Sequence, residues 1–169
     1  MKTLIPALLL GIIFFVSCKD AGTETSPDNT FAIYRLLDTS LVAFTASQLA
    51  IGDLTLASDP FMRATDLTAY HWSTHTFVPK PALDSTLHRM ASLPGKSGGI
   101  PFVVIVGENR IYVGTLWWAY SSSTPPVPYI ELLPSGSYAI EAAPFSSLPD
   151  PRQDPRIWAS LRAAGILVE

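Results

Sequence analysis

The stretch IPFVVIVGENRIYVGTLWWAY, residues 100–120, decides the fold. Residues 102–106 form an unbroken apolar run rich in β-branched side chains. Gly107, Glu108, Asn109 and Arg110 supply polar, turn-forming chemistry, and residues 111–120 resume with β-branched and aromatic side chains. Two such runs around about four turn residues predict a β-hairpin. The first arm does not alternate polar with apolar, so it is expected to be covered on both faces, as a central strand is.

On the N-terminal side, residues 31–37 read as a strand. Residues 47–51 suit one helical turn and residues 54–56 a short strand, before Ser58, Asp59 and Pro60 turn the chain. Residues 64–70 fit a short helix, with Leu67 and Tyr70 on its inner face, and residues 74–78 alternate as a strand does. Pro81 suits the first helical position, and Leu83, Leu87, Met90 and Ala91 make one apolar stripe over 81–92. Pro94 and Gly95 stop that helix.

On the C-terminal side, residues 121–126 read as a rigid exposed loop. Strands are expected at 127–133 and 138–145, around the turn Pro134, Ser135, Gly136, Ser137. Asp154 can cap a helix over 155–164, with Pro155 at its first position and Ile157, Trp158, Leu161 and Ala164 on one side. Gly165 closes it in left-handed conformation. The Asp-Pro-Arg triplets at 150–152 and 154–156 are a local echo, not a repeat unit. The expected fold is α+β: a mostly antiparallel sheet of about five to six strands, with two main helices at 81–92 and 155–164 packed on one face.

The N-terminus carries an address. Lys2 makes a short basic start, and residues 4–16 are apolar apart from Pro6 and Gly11. The run is short for a permanent transmembrane helix and has the layout of a secretory signal peptide. Phe15, Val16, Ser17 and Cys18 resemble the lipobox of bacterial lipoproteins, with Phe15 bulkier than the usual Leu. That resemblance implies cleavage after residue 17 and acyl chains on Cys18. Cys18 is the only cysteine, so an internal disulfide is impossible and lipid attachment is its evident use. Each buried methylene contributes about 0.8 kcal/mol, and several chains together anchor stably. Asp20 is not adjacent to the cysteine, where it would favour inner-membrane retention, so an outer-membrane or cell-surface position is expected. The domain order is therefore a signal peptide (1–17), a lipidated cysteine with a polar tether (18–30), and one globular domain (31–169). A tether of this length spans about 20 Å on average.

Composition bounds the rest. The formal charge is −3, charged residues are 15% and aromatic residues 11%, which is a globular balance with no basic stripe for nucleic acid. The 15 prolines favour many loops over long helices. Three pieces resemble an uncharacterised extracytoplasmic bacterial family: Tyr70-His71-Trp72-Ser73-Thr74-His75, Pro101-Phe102-Val103-Val104 running into Tyr112-Val113-Gly114, and Asp150-Pro151-Arg152-Gln153-Asp154-Pro155-Arg156. His71 stands where that pattern has an acidic residue. The resemblance implies a shared fold and no activity.

No catalytic motif stands out. His71 and His75 are four apart, a metal-binding spacing on a helix, but their context reads as strand; Asp66 or His88 would have to fold in to complete a site. Gly95-Lys96-Ser97 lacks the first glycine of a phosphate loop, since position 90 is Met90, and a strand follows instead of a helix. No Gly-x-Ser-x-Gly elbow occurs. No catalytic residue, metal or cofactor is expected. Trp117 and Trp118 must face opposite sides of a strand, so one is expected in the core and the other, with Tyr120, beside the proline loop as a binding surface. The expected function is non-enzymatic binding of an envelope protein or small ligand by a lipid-anchored domain. The alternative is a hydrolase or metal-dependent enzyme using His71, His75 and a carboxylate such as Asp66.

Overall fold

The computed structural model describes residues 30–133 and 138–169. The leader, Cys18, the tether to residue 29 and the turn at 134–137 lie outside those residues. In chain order the strands are β1 (Phe31–Arg35), β2 (Met62–Arg63), β3 (Leu67–His71), β4 (Thr76–Pro79), β5 (Ile100–Val106), β6 (Asn109–Trp118), β7 (Tyr129–Leu132), β8 (Tyr138–Glu141) and β9 (Leu167–Val168). The helices are α1 (Ala43–Ala46), α2 (Pro81–Ala91) and α3 (Pro155–Ala163). The strands make one sheet in the order β2-β1-β5-β6-β7-β8-β4-β3-β9. The β6–β7 and β3–β9 pairs are parallel, and the other neighbours are antiparallel.

This sheet cannot be flat. β2 and β3 stand seven places apart, about 34 Å at the usual strand spacing. Yet a single 3-10 turn, Ala64–Asp66, joins them, and the chain from Arg63 to Leu67 spans at most about 14 Å. The ring centroids of Phe31 on β1 and Tyr70 on β3 lie 6.5 Å apart, which also requires the two ends to approach. The sheet therefore curls into a half-barrel.

The expected five-to-six-strand antiparallel sheet with two helices on one face is thus corrected: the described residues form a nine-strand mixed sheet with three short helices. Two physical causes explain the difference. β2 and β9 have only two residues each, too short to show alternation. β3 imitates a helix: Leu67 pairs with Pro79 and Ala69 with Val78, leaving Thr68 as an extra residue. That bulge lets Leu67 and Tyr70 enter the same core although their spacing is odd. The i, i+3 apolar pair that predicts a helical turn sits on a bulged strand.

The hairpin at the centre forms with a tighter turn than expected. Val106 pairs with Asn109, so only Gly107 and Glu108 lie between the strands. Gly107 takes φ 60°, which a tight hairpin turn asks of its first central residue. β5 is covered on both faces. Phe102, Val104 and Val106 enter the main core inside the half-barrel, with Leu83, Leu87 and Met90 of α2 and Ile157 and Leu161 of α3. Val103 and Ile105 enter a second, smaller core with Leu36, Ala46 and Leu54. That outer cover is α1, a 3-10 turn at Ile51–Asp53 and a single bridge between Leu36 and Leu56 in place of the short strand expected there. Gly114 sits opposite Phe102, and a Cβ there would stand 2.3 Å from the ring.

The last helix is punctuated as its sequence requires. Asp154 accepts from the Arg156 N–H, and Pro155 follows at the first position. Gly165, at φ 71°, lets the Ile166 N–H reach the Leu161 carbonyl and its own N–H reach Arg162, closing α3 in a Schellman motif.

Candidate functional site

A concavity lies on the outer face of the sheet, beside the second core. It measures about 440 Å³, within the range of small-ligand sites. Ile111 and Val113 of β6 contribute to its lining, as do the loop residues Pro126–Pro128, and Ser47 and Ile51 of the outer cover. The opposite wall is residues 142–151, through Ala142, Ala143, Ser146 and Leu148–Pro151. Arg110 fixes the cover in place: its guanidinium donates to the Ile51 carbonyl at 2.6 Å and to the Leu54 carbonyl at 2.7 Å. Proline and packed strand give the groove rigid sides that lose little entropy on binding.

The 142–151 wall is held from beneath. Arg152 grips Asp150 with two nitrogens, Nη2 at 2.6 Å and Nε at 2.9 Å, and donates through Nη1 to the Ile140 carbonyl at 2.6 Å. The Asp150 carboxylate also caps the 3-10 turn Pro151–Gln153 by accepting from the Arg152 N–H. The hydrogen bonds from Arg152 hold the Asp150 carboxyl below its usual range.

Next to this pair lies a buried polar group built on His75. Its Nδ1 stands 2.9 Å from the Tyr70 hydroxyl and its Nε2 2.9 Å from the Gln153 amide nitrogen. The amide donates to Nε2, so the neutral ring donates from Nδ1 to the Tyr70 oxygen. Burial, then the positive charge of Arg152, push the His75 pKa down to about 4. Burial pushes the Tyr70 and Tyr112 phenols up, so both stay neutral. The Trp72 ring meets His75 edge-on at 5.3 Å. His75 itself takes φ 53° in the turn after β3, and its carbonyl accepts from the Ile140 N–H at 3.0 Å. A left-handed backbone at a non-glycine residue costs about 1 kcal/mol and persists where its surroundings fix it. Both ring nitrogens are engaged within the chain, so this cluster holds the turn after β3 against the 3-10 turn at Pro151–Gln153.

The sequence-derived residues distribute as follows. Trp117 and Trp118 are both buried, at 4% exposure each. The expectation that one of them stands exposed is corrected: Trp118 enters the main core, and Trp117, on the other face, lies under the backbone at Gly99. Tyr120 alone is exposed, at 66%, and its hydroxyl donates to the Leu93 carbonyl. Asp66 spends its carboxylate on the Arg63 N–H at 2.7 Å. His71 ends β3, opposite Thr76, and His75 is buried in the turn. Among the described residues no three His, Cys, Asp or Glu side chains stand together as a metal site. Cys18 lies outside them, and no helix among them is long and apolar enough to cross a membrane.

Sequence reasoning missed the groove, although its signal was present. Residues 39–52, 111–130 and 142–149 carry no ionisable side chain except the tyrosines. Scattered along the chain, these charge-free stretches meet around one concavity. Phe44, Leu49, Phe145 and Leu148 lie within them and are exposed. The groove lining holds one charged group, Asp150, already paired to Arg152. No family model, curated protein or solved structure matches the chain.

Proposed function

We propose that this chain is an extracytoplasmic lipoprotein that binds an envelope protein through the uncharged face around the groove. Acyl chains on Cys18 hold it to the membrane, at the outer membrane or cell surface. The observation that carries the reading is the groove itself: about 440 Å³, walled by proline and aliphatic side chains and flanked by exposed Phe145 and Leu148. Exposed aromatic and aliphatic side chains gathered beside a rigid concavity are costly in water and mark contact surfaces. The leader ending in the lone cysteine supports the anchor.

Labelling with radioactive palmitate tests the anchor. The wild-type chain incorporates label and fractionates with membranes, and Cys18→Ser does neither. An unlabelled wild-type chain sinks the anchored reading. Leu148→Asp tests the face, because it places an unpaired charge in the groove wall. The variant retains its thermal midpoint and loses partner recovery at least tenfold. Equal recovery removes the groove from the binding surface.

A further inference from the structure

We infer that the groove is a self-association site, in which Phe145 of each chain seats in the groove of a second copy; this deepens the binding reading by naming its occupant. The rim of the groove carries a knob beside the hole. Phe145 is 86% exposed, while Ala143, Ser146 and Leu148 of the same loop line the concavity. Knob and hole on one patch are what an isologous two-fold contact requires, since each copy then offers and receives the same feature. A phenylalanine ring buries about 150–250 Å² when it is fully enclosed, and a groove of about 440 Å³ has room for it.

Charge permits a second copy at this face. The chain carries a formal charge of −3, so two copies repel each other overall. A patch of one charge sign cannot complement its own copy across a two-fold axis, so a self-contact asks for a face that is uncharged or balanced within itself. Residues 142–149 carry no charge, and Asp150 is neutralised by Arg152 within its own chain. This face can meet its own copy without setting like charges together. On the opposite side of the groove, Ser47 and Ile51 line it without a charge. Anchoring both copies in one leaflet raises their effective concentration, so a modest contact suffices.

The test uses the full-length chain in its own membrane, with the photoreactive analogue p-benzoylphenylalanine at position 145. Two differently tagged copies are co-expressed and irradiated. The expected product has twice the chain mass, carries both tags, and maps to residues 126–128 or 142–148 of the other copy. In detergent solution the wild-type chain sediments as a dimer. Phe145→Asp weakens that dimer at least tenfold and leaves the thermal midpoint unchanged, because an 86% exposed side chain has little packing to lose. A cross-link to a different protein with the chain monomeric overturns self-association and keeps the binding reading. No cross-link beyond the chain's own residues, with a monomer in solution, overturns both for this groove. Loss of palmitate labelling with the dimer intact overturns only the anchor.

Discussion

Asp150-Pro151-Arg152 and Asp154-Pro155-Arg156 are the same three residues in the same local geometry, placed in two environments. Each aspartate caps the turn that follows by accepting the N–H of its arginine, and each proline takes the first helical position. Each arginine folds back on its own carboxylate, at 2.6 Å for the first pair and 2.7 Å for the second. The difference is what lies around them. The Arg152 side chain is 12% exposed and also donates to β8, while that of Arg156 is 48% exposed and makes no further tie among the described residues. A shared motif therefore fixes the local fold, and burial decides whether its ion pair holds the tertiary structure as well.

The strongest way to break that comparison is Arg152→Ala. It strands the Asp150 carboxylate and the Ile140 carbonyl and removes the support of the groove wall. Breaking a fully buried pair by deleting one partner costs about 3–5 kcal/mol and an exposed one about 0.2–1 kcal/mol; with Asp150 30% exposed, the loss here falls between, at about 1–3 kcal/mol. The expected result is a free energy of unfolding in urea lowered by that amount. A loss below about 1 kcal/mol would place Arg152 with its exposed counterpart and dissolve the distinction.

The next effect is pH. Folded His75 titrates near 4, below its usual 6.5, so the unfolded chain binds more protons in that window. Its contribution to stability is complete above about pH 6.5 and is lost as pH falls toward 4. The size is on the order of 3 kcal/mol at the full shift. The groups facing His75 are Tyr70 from β3, Trp72 from its own turn, and Asp150, Arg152 and Gln153 from the 3-10 turn. Asp150 titrates lower still, so its loss follows at more acid pH. His75→Asn tolerates the left-handed backbone, keeps a donor and an acceptor, and does not titrate. Stability measured from pH 7 to 4 should flatten in that variant. An unchanged slope would assign the acid sensitivity to other groups.

The two triplets also show how much the sequence made legible. Capping by Asp154, Pro155 at the start of α3 and Gly165 after its end are local chemistry, readable residue by residue. The hairpin of β5 and β6 and the two-sided burial of β5 were readable for the same reason, because a run such as Phe102 to Val106 has no polar face to expose. The curl of the sheet was not readable. It depends on β2 and β9, two residues each, and on a bulge at Thr68 that disguises a strand as a helical turn. Nothing in the sequence alone separates Arg152 from Arg156, since their neighbours in space come from β3 and β8. Trp117 and Trp118 misled for a related reason. Alternation correctly put them on opposite faces, but the outer face is itself covered, so both are buried. The groove is intermediate: its three uncharged stretches can be seen in the chain, but their convergence is a tertiary fact.

The smallest expected effect sharpens the comparison from the exposed side. Arg156→Ala removes an ion pair that solvent already screens, and exposed pairs contribute about 0.2–1 kcal/mol. The backbone cap survives, because Asp154 still accepts the N–H at position 156 whatever side chain stands there. Alanine also favours the first turn of a helix slightly more than arginine does. The net change in urea unfolding should therefore lie within about 0.5 kcal/mol. Asp154→Ala deletes the cap together with the pair and should cost about 1 kcal/mol. If Arg156→Ala instead matched Asp154→Ala, the exposed guanidinium would be holding its carboxylate in capping position, and the pair would act as one unit in both environments.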